Sequence, residues 1–200
     1  MKPRLIIQQQ LTAFTNKYEV YTVGTADTKG GLVAFAQQKR LALKEKVWFY
    51  SDESKSDELF SFRAEKVMDV HGRYLVESKD GKQLGAFRKI FGKSLLNSTW
   101  EILDGDQVVL TVSESNHTLA VARRVIGFVP IVGDIAEVLM AFMKYHFVFK
   151  DNSGNIVGKY QKNTLFRDHY TLSMDDATYE KLDWKLYAAM AVALDALQSR

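Results

Sequence analysis

LYAAMAVAL, residues 186–194, decides the fold. It carries no charge, and Leu182, Trp184, Ala196 and Leu197 extend the apolar run on both sides. Leu, Ala and Met are strong helix formers. A helix that is apolar on every face must be surrounded on every face. From about residue 183 to 197 it is roughly 22 Å long, short of the roughly 20 apolar residues that span a bilayer. The preceding chain is dominated by β-type runs between turn residues: 5–10, 18–23, 32–36, 47–50, 74–77, 83–87, 99–103 and 108–112. A helix that needs cover on all sides, in a chain of strands, predicts a mainly β fold. The architecture expected is a closed antiparallel barrel wrapped around a buried hydrophobic C-terminal helix.

The second signal is an internal repeat. Tyr74-Leu75-Val76, Asp80-Gly81, Leu84-Gly85, Phe87 and Lys89 recur as Phe147-Val148-Phe149, Ser153-Gly154, Val157-Gly158, Tyr160 and Lys162. The offset is constant at 73 residues (74 to 147, 89 to 162), so the units span about 73–89 and 146–162. Asp-Gly and Ser-Gly between β-type runs mark hairpins, because Gly supplies the positive φ of a tight turn. Asp104-Gly105-Asp106 marks another, and SDESKSDE (51–58) reads as a solvated loop. Each unit leads into a further aromatic run, Trp100-Glu101-Ile102 and Tyr170-Thr171-Leu172. Repeated hairpins close a barrel without exposed edges. With two prolines and no linker, the chain reads as one domain over 1–200.

The long interruption is 119–143. Asp134 and Glu137 fit a capping box, and Ile135, Val138, Leu139, Phe142 and Met143 form one apolar helical stripe. VIGFVPIV (125–132) reads as a loop or broken strand. The segment closes one end of the barrel, or touches a membrane with Phe128 beside Arg123 and Arg124 facing anionic headgroups.

Bulk properties narrow the function. A net charge of +3, from 27 basic and 24 acidic residues, predicts no nucleic-acid partner. The absence of Cys excludes disulfides, thiolate metal sites and Cys nucleophiles. No signal-peptide core is visible near the N-terminus, so a cytoplasmic protein is expected, and the 116–118 sequon is read as chance. Phe91-Gly92-Lys93-Ser94 resembles the tail of a phosphate loop, but Phe87 stands where the motif needs Gly. His71, His117, His146 and His169 lack metal-ligand spacing, and no G-x-S-x-G elbow occurs. No cofactor, no metal and no catalytic residue is expected. Asp195, a carboxylate near the end of an apolar helix, needs hydrogen-bonding partners if it is buried.

LIIQQQL, NKYEVYTV, DGKQLGAFRK, SGNIVGKYQK and the final DWKLYAAMAVALDAL together resemble the tubby C-terminal-like superfamily, in its LURP-one-related and phospholipid-scramblase-like branches. The resemblance implies a barrel of about twelve strands around the C-terminal helix. It also implies a function linked to lipids, since tubby members bind phosphoinositide headgroups through basic barrel surfaces and scramblase members are associated with lipid movement and calcium. The chain departs from the scramblases, having no Cys and no Pro-rich region. Ser173-Met174-Asp175-Asp176 is too short for a calcium loop of alternating acids, so Asp175 or Asp176 is read as a turn or helix cap.

The basic residues that follow each hairpin unit, Arg88, Lys89 and Lys93 in the first and Lys159, Lys162 and Arg167 in the second, are the candidate phosphate-binding residues. The expected function is non-enzymatic: a module peripheral to anionic membrane surfaces, binding lipid headgroups through basic strand faces. The alternative is a protein-interaction scaffold with an unidentified protein partner, and lipid scrambling ranks behind both.

Overall fold

The computed structural model describes residues 1–11, 15–39, 46–65, 72–90, 98–114, 146–163 and 168–197. Twelve strands close an antiparallel barrel: β1 (Lys2–Leu11), β2 (Thr15–Val23), β3 (Lys29–Lys39), β4 (Lys46–Tyr50), β5 (Glu58–Ala64), β6 (Arg73–Ser78), β7 (Gln83–Ile90), β8 (Thr99–Asp104), β9 (Gln107–Glu114), β10 (His146–Lys150), β11 (Ile156–Lys162) and β12 (Asp168–Met174). Each strand pairs with its neighbours in sequence, and β1 closes on β12 through Leu5↔Leu172 and Ile7↔Tyr170. Two helices follow, α1 (Asp176–Tyr179) and α2 (Trp184–Ala196).

The strands form because apolar residues alternate with polar ones at the period of the pleat. In β8 and β9, Trp100 and Ile102 face inward beside Val112 and Leu110, while Glu101 and Thr111 pair on the outer face. β5 was not among the runs read from sequence. Phe60 and Phe62 are its inward pair, but the charged stretch before them merges with its first residue, Glu58. The solvated loop correspondingly ends at Asp57, not Glu58.

Residues 186–194 are each 1% exposed or less, so α2 is covered on every face. It lies against β1, β2, β5 and β7, and shares one apolar core with the inward side chains of the sheet. Its start is fixed by Asp183, whose carboxylate accepts from the backbone N–H of Lys185 at 2.9 Å. Asp175 caps α1 in the same way, accepting from Thr178 N–H at 2.9 Å. Helix and sheet meet closely at Gly85, where a Cβ would lie 2.6 Å from Leu186 Cδ2 and 3.0 Å from the Leu103 carbonyl oxygen. Burial of Leu186, Tyr187, Met190, Val192 and Leu194 contributes roughly 8–15 kcal/mol of gross transfer energy.

The two repeat units fold as matching hairpins. Gly81 and Gly154 hold their turns with φ of 82° and 83°. Gly85 pairs with Val76, and Gly158 pairs with Phe149. These turns, with those at 24–28, 51–57 and 105–106, all lie at one end of the barrel, where the even-numbered strands finish. α2 starts at this end and runs to the other, where the odd-numbered strands finish.

Candidate functional site

Pleat alternation places the candidate basic residues. On β7, Phe87 faces inward and is paired with Ile102, so Arg88 faces outward and Lys89 inward. Arg88 and Lys89 therefore lie on opposite faces of the sheet. The same separation occurs on β11, where Tyr160 is inward, Lys159 is outward and exposed, and Lys162 is inward. Lys89 sits over the Trp100 ring at 5.5 Å and Lys162 over the Tyr170 ring at 5.9 Å. These repeat-equivalent lysines lie at the same end of the barrel, where β7 and β11 finish. Lys93, Arg167, Arg123, Arg124 and Phe128 lie outside the described residues, as do the 91–94 motif, the 119–143 stripe, His71 and His117.

The arginines on the outer face of the first unit and of the adjoining β5 are ion-paired. Arg88 Nη2 is 2.7 Å from Glu101, its cross-strand partner. Arg63 makes a two-pronged contact with Glu77, both N–H···O distances 2.9 Å. That bidentate geometry raises the Arg63 guanidinium above its ordinary value, the hydrogen bonds to Glu77 first and its charge second. Arg73 reaches Asp106 at 2.9 Å and Glu65 at 3.7 Å.

The outer face of the second unit differs. Lys159 stands between Val148 on β10 and Ser173 on β12, near Gln161, Thr171 and Lys150, with the exposed Ile156 paired to Lys150. Among the described residues neither Lys150 nor Lys159 has a carboxylate partner. Lys150 escaped the sequence reading, although its alternation with Val148 in HFVFK marks it as outward-facing.

Asp195 has the partners its position requires. Its carboxylate accepts from the phenols of Tyr18 at 2.8 Å and Tyr170 at 3.1 Å, and from Gln9 Nε2. Burial, and then the Asp195 charge, push the Tyr18 phenol far above its usual range. At the opposite end Asp176 pairs with Lys2 at 2.8 Å and with Arg4, and the Lys2 hydrogen bond draws it below the usual carboxylate range. Arg4 also lies over the Tyr179 ring at 4.7 Å. Among the described residues no three His, Asp or Glu side chains converge as metal ligands would. None of the described helices is long and apolar enough to cross a membrane.

A closed twelve-stranded barrel wrapped around a buried C-terminal helix defines a protein of the tubby-like class. The model of the family described as LURP-one-related matches residues 32–195, from within β3 to the Asp195 cluster, and the chain belongs to that family. No curated protein and no solved structure matches the chain.

Proposed function

We propose that this LURP-one-related barrel is a non-catalytic module that binds anionic lipid headgroups on the outer face of β10–β12, peripheral to a membrane. One observation carries the reading: among the described residues Lys150 and Lys159 have no carboxylate partner there, whereas Arg73 and Arg88 of the first unit, and Arg63 on the adjoining β5, are each ion-paired. An unpaired ammonium keeps its charge available to a phosphate, while a paired guanidinium must first give up its carboxylate. Hydroxyl and amide groups of Ser173, Thr171 and Gln161 surround Lys159 and supply neutral donors to phosphate oxygens. The headgroup binding known for tubby members is in keeping with this choice. The non-catalytic part of the reading is supported by the interior. α2 and the rings of Phe49, Phe60, Phe62, Phe87 and Trp100 occupy the volume where a ligand-holding barrel keeps its cavity.

Vesicle co-sedimentation tests it, comparing anionic with neutral lipid at low and physiological salt. Salt-sensitive binding to anionic vesicles, lost in Lys150→Glu/Lys159→Glu and kept in Arg88→Glu, is expected. Equal loss from Arg88→Glu, or no binding at either salt, sinks the β10–β12 assignment.

A second reading, a protein-interaction scaffold, is favoured by Trp48. It is 37% exposed on the outer face of β4, half the barrel circumference away from β10. Large aromatics in that setting anchor protein interfaces.

A further inference from the structure

The duplication supplies a comparison within the molecule. The 73-residue offset sets Glu77 against Lys150, Gln83 against Ile156 and Ala86 against Lys159 (77 to 150, 83 to 156, 86 to 159). The register agrees, since Glu77 pairs with Gln83 and Lys150 with Ile156 at the same place in each hairpin. The hairpins match, so the differences between their outer faces are not demanded by the sheet. Gln83 is exposed, and a polar side chain satisfies that position in the first unit. In the second unit the same position holds Ile156, which is 47% exposed.

The charges change in step. Glu77, the partner of Arg63, gives way to Lys150. The Arg88–Glu101 ion pair gives way to Gln161 and Thr171, which are paired across β11 and β12. Ala86 gives way to the exposed Lys159. The cross-strand neighbours of Lys150 and Lys159 are Thr111, Ile156, Val148 and Ser173, and none is acidic. Asp151 adjoins Lys150 in sequence, but its carboxylate is turned into the hairpin turn. It accepts from Ser153 N–H at 2.9 Å, from Asn155 N–H at 2.8 Å and from Asn155 Nδ2 at 3.0 Å.

We infer that Ile156 enters the acyl boundary of an anionic bilayer while Lys150 and Lys159 meet its headgroups, so that the β10–β11 hairpin is the part of the barrel that faces the membrane. The inference rests on the headgroup reading of this face and adds what separates a bilayer from a soluble phosphate. A phosphate in solution is attracted by the lysines but gains nothing from an exposed isoleucine. A bilayer answers both, because its headgroups attract flanking cations and its acyl boundary takes apolar surface out of water. A lone exposed apolar residue is ordinary by itself. Ile156 stands apart because it is paired with one lysine, lies three residues from another, and replaces a glutamine that the same hairpin accepts elsewhere.

The chain has no Cys, so Ile156→Cys or Gln83→Cys carries a polarity-sensitive fluorophore at one position only. Both labelled chains, the wild type and Ile156→Gln are titrated with mixed phosphatidylserine and phosphatidylcholine vesicles, with phosphatidylcholine vesicles and with inorganic phosphate. The expected result is a blue shift at 156 and none at 83, with the mixed vesicles alone. Ile156→Gln carries the first unit's residue and melts like the wild type. Its affinity for the mixed vesicles falls about fivefold at low and physiological salt alike, because the lost contact is apolar and salt does not screen it. Wild-type binding with no shift at 156, or with full affinity in Ile156→Gln, overturns the insertion and leaves the headgroup reading standing. A wild type that binds no vesicle at either salt overturns the headgroup reading and the insertion with it. Equal shifts at 83 and 156 overturn the insertion in favour of non-specific adsorption, and a shift at 156 with inorganic phosphate overturns it in favour of a soluble anion.

Discussion

Tyr18 on β2 donates its phenol to Asp195 on the last turn of α2 across 2.8 Å, tying the helix end to the seam where the barrel closes. The other partners of Asp195, Gln9 and Tyr170, lie on β1 and β12, the first and last strands. One carboxylate thus joins the three strands around the closure. Tyr18→Phe removes one donor and leaves Gln9 and Tyr170 still donating to the carboxylate, so it costs about 1 kcal/mol. Asp195→Ala removes the acceptor shared by two phenols and an amide and costs about 2–4 kcal/mol. Urea denaturation of both single variants and the double variant measures this. Additive losses would show that the pair is not coupled.

The close approach of Gly85 to Leu186 predicts a paired effect. At Gly85 φ is 151°, and an added Cβ meets Leu186 Cδ2. Gly85→Ala is expected to destabilise by about 2–4 kcal/mol, from overpacking and backbone strain together. Leu186→Ala alone costs about 2–5 kcal/mol by leaving a cavity. The double variant should lose less than the sum of the two, because the methyl enters space that Leu186 vacates. Thermal melts of the three variants decide it, and a loss equal to or above the sum rules the mutual contact out.

How far the fold was legible depended on whether a signal was local. Residues 186–194 announce their own burial, because no face of that helix tolerates water, and the hairpin glycines announce their turns. β5 was hidden because Glu58 joins it to a charged loop, although Phe60 and Phe62 carry the period. The candidate site was least legible. Arg88 and Lys89 are adjacent in sequence and look like one patch, yet the pleat sends them to opposite faces, and only cross-strand register reveals that Glu101 neutralises Arg88. The partners of Asp195 lie 186, 177 and 25 residues away, beyond any spacing rule.

Acid should loosen the start of α1 before it reaches the core. The Asp175 carboxyl is lowered chiefly by the Thr178 backbone N–H, and Asp176 chiefly by the Lys2 hydrogen bond. Both depressed carboxylates contribute stability that is fully present above the unfolded-state pKa of about 4. That contribution is lost as pH falls from there through the lower folded-state values. Amide exchange at 176–180 is therefore expected to accelerate below about pH 4 while 186–194 stays protected. Simultaneous loss in both segments would mean that the cap and the buried helix open as one unit.

Met190 gives the most severe test of the architecture. It is 0% exposed, in the middle of a helix whose neighbours on either side are equally buried. Met190→Asp places a carboxylate where no described residue offers a counter-charge, and an ionised group in such surroundings costs several kcal/mol. Since a domain of this size is stable by about 5–15 kcal/mol in total, the variant should fail to fold cooperatively. Met190→Leu, close in volume, should cost under about 1.5 kcal/mol and keep a sharp transition. Circular dichroism with thermal melting separates the outcomes. A cooperatively folded Met190→Asp protein would mean that this part of α2 has access to water, which is incompatible with a barrel wrapped around it.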